Sequence, residues 1–277
     1  TTPVNLQTND HTIGTLDIRY GGDVNLVDFA TVGTLALQST TGKSSQIHPL
    51  SNLDVTNAYI DIQFKEAAND DNWYGFAVPF EVDVETGVAR ADGVGTHVSM
   101  HDYLIWEYDG NIRQQTGTGW VKKPSGTLEP GQFYMIGVVG PQIVWRFTMK
   151  TNATIVGSNS FPMPAYGGET DHVEGGWNAM GNSLTQYAKA SATGINYCQV
   201  YDNVNIMYLT KNLSATSFVV GTPFFIQVSG DNTMKLKTSN ETNPGALYAP
   251  RFAEEDEPAI YEVRLTNGSQ YDALFIC

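Results

Sequence analysis

The sequence predicts an all-β chain of two tandem antiparallel β-sandwich domains, jelly-roll-like and related by a loose internal repeat. Three observations predict it. Apolar and polar residues alternate with period two in most apolar stretches. Clusters such as YGGD, STTGKSS, AANDDN, YDGN and SGDN punctuate those stretches at short intervals. A set of aromatic and glycine signposts occurs twice in one order.

In chain order, strands are expected at TLDIRY (15–20), TLALQS (34–39), AYIDIQF (58–64) and YLIWEY (103–108). FYMIGVV (133–139), IVWRFTM (143–149), FFIQVS (224–229), MKLKTS (234–239) and IYEVRL (260–265) follow. Strands 224–229 and 234–239 read as a hairpin across SGDN. No long helical stripe is present, and 184–193, LTQYAKASAT, is the expected short helix. The stretch 151–170 is rich in Asn, Ser, Gly and Pro. It places the domain boundary near 155, giving an N-terminal sandwich over 1–155 and a C-terminal one over 156–277. The closing stretch reads as two strands around an Asn-Gly turn, the second still running at Cys277. The chain is therefore expected to continue further.

Composition narrows the function. The net charge is −14, from 29 acidic and 15 basic residues. A field of that sign repels nucleic acid and anionic membranes. No run of about 18 apolar residues offers a membrane span. Charged residues are only 16%, with polarity carried by Thr, Ser, Asn, Gln and Gly. That surface is the kind common on extracellular β-proteins, and a signal segment is expected to have been removed. The two cysteines, Cys198 and Cys277, are a disulfide candidate in an oxidising compartment; otherwise both are small buried apolar residues.

The repeat aligns DNWYGFAVPF (71–80) with GGWNAMGNSL (175–184), then EYDGN (107–111) with VYDNV (200–204), then LEPGQFYMI (128–136) with VVGTPFFIQV (219–228). A tryptophan opening a strand buries much apolar area, and an aspartate after a strand bonds the following turn. The signposts therefore serve the core first. The alternative is a ligand platform of Trp73, Trp106, Trp120 and Trp177, rings that suit a surface glycan.

These residues carry a resemblance. Trp177, Asn178, Gly181 and Asn182, then Tyr201-Asp202, then Gly221, Phe224, Phe225 and Ile226 resemble the W-N-x-x-G-N segments of Bacteroidetes exported and cell-surface β-sandwich proteins. Ser183 stands where that pattern has proline. Trp73, Tyr74, Phe76, Pro79 and Phe80, with Tyr108-Asp109-Gly110, Arg113, Gly119-Trp120, Leu128, Gly131, Phe133, Tyr134 and Ile136, resemble their W-Y-x-F-x-x-P-F modules. The resemblance covers roughly 60–277 and implies a β-sandwich part of a large exported protein, often upstream of a type IX secretion domain.

Reactive chemistry has little footing. His97 and His101 are four apart without an HExxH motif. Glu81, Asp83, Glu107 and Asp109 are the carboxylates that a glycosidase pair would draw on. Calcium is the one cofactor candidate, at Asp70 and Asp71 or at Glu254 and Asp256. The leading expectation is a non-catalytic exported surface module for adhesion, filament or scaffold assembly. Its partners would be other protein subunits, including copies of itself, or a surface glycan. A carbohydrate-binding module is the alternative, and a glycoside hydrolase the second alternative.

Overall fold

Val4-Asn5-Leu6 recurs as Val24-Asn25-Leu26, and Thr12-Ile13-Gly14-Thr15-Leu16 recurs as Thr31-Val32-Gly33-Thr34-Leu35. The computed structural model describes residues 3–8, 12–19, 21–40, 42–64, 73–91, 103–138, 144–155, 160–165 and 175–238. It also gives strand placement for 261–267 and 270–276. In it the recurrence is a stack of three coils. Strands β1 (Val4–Leu6), β2 (Thr12–Ile18), β3 (Asp23–Leu26), β4 (Ala30–Ser39), β5 (Gln46–His48) and β6 (Leu53–Gln63) alternate between two sheets. The sheet β1-β3-β5 is parallel, and so is the run β2-β4-β6.

Parallel neighbours need a crossover, and here each crossover is the strand of the opposite sheet. Like residues stack: Leu16, Leu35 and Ala58 lie in register, as do Ile18, Leu37 and Ile60, all at most 1% exposed. The Asn25 side-chain amide donates to Asn5 Oδ1 at 2.7 Å, the kind of like-on-like polar ladder that stacked strands favour. Alternation breaks where buried Ile13 and Leu16 sit three apart, and again at Val32 and Leu35. A Cβ on Gly33 would lie 2.7 Å from the Gly14 carbonyl, so glycine is required at this close approach. Antiparallel pairing, expected throughout, therefore gives way to parallel pairing in the first coils.

The rest of the chain repeats one strand order. The first unit uses β6, β7 (Trp73–Phe76), β8 (Val82–Asp83), β9 (Val88–Arg90) and β10 (Tyr103–Tyr108). Helix α1 (Gly110–Thr116), β11 (Trp120–Lys122), β12 (Thr127–Leu128), β13 (Tyr134–Val138) and β14 (Val144–Thr148) complete it. The second unit uses β15 (Ser160–Met163), β16 (Trp177–Gly181), β17 (Ala188–Ser191) and β18 (Tyr197–Asp202). Next come β19 (Met207–Asn212), β20 (Pro223–Gln227) and β21 (Asn232–Thr238). Orders β6-β14-β9 and β11-β10-β13-β7 in the first unit match β15-β21-β17 and β19-β18-β20-β16 in the second, all antiparallel. Register makes the signposts equivalent. Gly75 faces Met135 as Ala179 faces Phe225, two residues past each tryptophan. Tyr108 faces Trp120 as Tyr201 faces Tyr208.

Three local expectations are corrected. Residues 184–193 hold no helix: they are bends and β17, whose Ala188 and Ala190 alternate inward and whose Ala188 exchanges two backbone bonds with Phe218. A helix forms instead at α1. Asp109 caps it, accepting from Asn111 N and Ile112 N, and Gly117 ends it. Strands β20 and β21 are not a hairpin. The SGDN turn carries the chain from one layer to the other, so Phe224 and Ile226 meet Met234 and Leu236 across the core.

Four sheets, β6-β14-β9, β11-β10-β13-β7, β19-β18-β20-β16 and β15-β21-β17, stack with three apolar layers between them. One core runs from Ile13 to Met149, with Val220 the one buried member from the second unit. Another fills the second unit, from Met163 to Leu236. Between the two equivalent four-stranded sheets lies a third cluster. Buried hydrogen bonds stitch the units: Ser39 Oγ donates to Val220 O at 2.6 Å, Val220 N to Ser44 Oγ at 3.1 Å, and Tyr187 N to Gln46 Oε1 at 2.9 Å. The closing hairpin, β22 (Tyr261–Asn267) with β23 (Gln270–Ile276), returns to pair antiparallel with β2.

Candidate functional site

Outward-facing positions of β7, β13, β10 and β11 should be polar if that sheet met water. They are apolar instead, with Trp106, Tyr108, Trp120 and Met135 among them, because the second unit's sheet covers them. Phe133 and Met135 meet Ala179, Tyr201 and Phe225, with Trp106, Tyr108, Trp120 and Trp177 packed around. Phe225 sits at the centre. Its ring lies 4.7 Å from Tyr108, 5.1 Å from Phe133, 5.7 Å from Tyr208, 5.9 Å from Trp120 and 6.2 Å from Trp177. Edge-on and tilted contacts of this kind add to the area buried.

The four tryptophans thus divide. Trp106, Trp120 and Trp177 are half-buried in this seam, with Lys122 Nζ 5.7 Å over Trp106 and Arg113 Cζ 5.9 Å over Trp177. The indole N–H groups of Trp106 and Trp177 are buried and make no hydrogen bond. Trp73 lies at the seam's rim, 39% exposed. A Cβ on Gly137 would stand 2.8 Å from two carbons of its ring, so the indole rests on bare backbone and turns its other side outward. Trp106 meets it edge-on at 5.6 Å, and Leu104, 48% exposed, lies on the same cross-strand line.

The hairpin of β18 and β19 borders this rim. Asp202 accepts from Val204 N at 2.8 Å and Asn205 N at 3.2 Å, the same capping act Asp109 performs for α1. Ile206 at the tip holds φ +53, a strained setting for a β-branched residue. Asn203 is 7% exposed; its Oδ1 takes Gly75 N–H at 2.7 Å and its amide donates to Gly75 O at 2.8 Å. Tyr201 OH donates to Trp73 O at 2.9 Å. The outer edge of β7 is therefore filled by side chains that imitate a neighbouring strand.

Asp83 binds Thr86 N and Oγ1 and Glu85 N in a tight turn. Glu107 pairs with Lys123 at 2.7 Å, Glu81 lies 4.0 Å from Lys150, and Asp109 caps α1. Each of these carboxylates thus has a local structural partner. Cys198 is buried and free, its thiol pushed up to about 12 by burial, and donates toward Lys211 O at 3.7 Å. Cys277, His97, His101, Asp70, Asp71, Glu254 and Asp256 lie outside the described residues. Among the described residues no helix is long and apolar enough to cross a membrane.

No protein-family model, curated protein or solved structure matches this chain.

Buried tyrosines supply a pH prediction. Burial raises Tyr103 to about 12, with OH donating to Val84 O at 2.6 Å, and raises Tyr201 to about 12. Burial raises Tyr134 as well. The unfolded chain then releases these protons first, near pH 10. Stability from these groups is complete below pH 10 and falls as pH climbs from 10 toward 12. Urea melts at stepped pH should show a flat midpoint up to about pH 9.5 and a decline above 10. A midpoint unchanged at pH 11.5 would refute it.

Proposed function

We propose that this chain is a non-catalytic module of an exported surface protein, acting by contact in adhesion or in the assembly of a filament or scaffold. One observation carries the reading. Among the described residues nine large apolar side chains are exposed, and five belong to the β18–β19 hairpin: Val204, Ile206, Met207 and Tyr208 gather at its tip, and Tyr197 stands at its open end. Trp73 and Leu104 stand on the neighbouring rim. Apolar groups collected in one place mark contact surfaces, whereas scattered ones do not. The resemblance to Bacteroidetes surface proteins agrees with an exported setting.

Beads coated with the protein test it, scored for clumping and for capture on glycan-coated surfaces. A Val204→Asp, Met207→Asp double variant, both side chains exposed, should lose that binding while keeping its melting midpoint. Equal binding by variant and native protein would sink the reading.

The outward indole of Trp73 favours a second reading, a carbohydrate-binding module, since a flat exposed ring suits the apolar face of a pyranose. On a glycan array, native protein should show hits that Trp73→Ala reduces at least about tenfold, as expected for losing roughly 1.4 kcal/mol of stacking. An array without hits would remove this reading and leave protein–protein contact.

A further inference from the structure

Edge strands are normally protected, and this protein protects most of its own. The β7 edge is filled by Asn203 and Tyr201. The β16 edge is bridged by Gly131 and Phe133, and β17 by Phe218. Strand β11, the counterpart of β19 in the first unit, is only three residues long, and β15 carries Pro162. Strand β19 has none of these devices. It runs six residues, and among the described residues no strand pairs with its outer side.

The free backbone groups can be named. Leu213 N–H donates to Asn196 O, one step beyond the Tyr197–Asn212 pair. Alternation in an antiparallel ladder then turns the groups of Leu209 and Lys211 toward β18, and those of Tyr208, Thr210 and Asn212 away. Thr216 N takes the Asn212 carbonyl. Tyr208 and Thr210 are left to present an N–H and a C=O each to a newcomer.

We infer that β19 is a pairing edge, and that it takes the β19 of a second copy of this chain, antiparallel across a two-fold axis. This rests on the assembly reading above. The strand MYLTKN is complementary to itself. With Leu209 on the axis, Tyr208 faces the partner's Thr210 and Met207 faces the partner's Lys211. Two Tyr208–Thr210 pairs make four backbone hydrogen bonds. Lys211, the only charge on the strand, meets a thioether rather than itself, so no like charges are opposed. Isologous contacts of this kind close into dimers and do not run on into open fibres. The −14 charge of each chain opposes approach. Salt screens that repulsion beyond about 8 Å at physiological ionic strength, so pairing tightens as salt rises.

Sedimentation velocity on the whole chain tests this, with Thr210→Pro and Thr210→Val beside it. Proline removes an N–H that points away from β18, so no internal ladder bond is lost. Valine removes only the hydroxyl bonds to Gln199. Native protein and Thr210→Val should move from monomer to twice that mass with rising concentration and salt, and Thr210→Pro should stay monomeric. Amide exchange on the native protein gives a check that needs no variant. Tyr208 and Thr210 N–H should be protected at high concentration and exchange rapidly at low. A Thr210→Pro dimer, or unprotected Tyr208 and Thr210 amides in a native dimer, overturns edge pairing but leaves the contact reading standing. A native monomer at every concentration also overturns it. Such a monomer with no bead binding takes the contact reading down too.

Discussion

Phe225→Ala should cost about 3–5 kcal/mol of stability, the usual range for deleting a buried aromatic ring. Phe225 is 7% exposed and touches five rings drawn from both units. The rings belong to strands held by their own ladders, so they cannot close over the gap. Its neighbour Phe224 points the other way, into the second unit's own core against Phe218 at 4.7 Å. Replacing Phe224 should therefore weaken one unit, whereas replacing Phe225 weakens the seam between two. Denaturant melts followed by tryptophan fluorescence should show the midpoint fall, because three tryptophans report directly on that seam. A loss below about 1 kcal/mol would mean the two sheets are not pressed together.

Asn203→Ala should cost about 2–4 kcal/mol, although it removes only one small amide. The loss arises at Gly75, buried on β7, whose N–H and C=O would both be left without partners. An unmade bond in a dry place costs more than a made bond gains. The same change unplugs the β7 edge, so the variant should also clump during refolding, read by light scattering. Asn203→Asp keeps the acceptor but not the donor and places a charge in a buried position; it should not rescue. Native stability and solubility in Asn203→Ala would show that the edge needs no plug.

The signposts were legible in the sequence because they use rare, large residues at turning points. Trp73 and Trp177, and the Tyr-Asp pairs at 108–109 and 201–202, stand at matched places in two sheets of one strand order. Strand β10 likewise stands where the alternation of YLIWEY puts it. The coils were written in the sequence too, in VNL and in the TIGTL and TVGTL runs. Their alternation breaks at Gly14 and Gly33, which hides the period from a reading tuned to strict alternation. The absent hairpin at β20 and β21 has a different cause. A short polar turn joins strands of one sheet or of two facing sheets equally well, and what differs here is that β20 pairs with β16 and β18 while β21 pairs with β15 and β17 across a shared core. At the candidate site, no local pattern distinguishes Trp73 at the rim from Trp177 in the seam. The difference lies in what the opposite unit covers, which is set by contacts 128 residues apart, such as Tyr201 with Trp73.

The three coils stack in register with successive backbones about 4.8 Å apart, while Ser39 of the middle coil also reaches Val220 O and β2 also pairs with β22. A further coil inserted between the first and the middle one would therefore displace β1 and β2 by that single increment, carrying β22 with them, and leave the Ser39–Val220 bond in place. The stem is a ruler graduated in strand spacings. Adding or removing one whole coil would change the distance between the start of the stack and the aromatic rim by one such spacing.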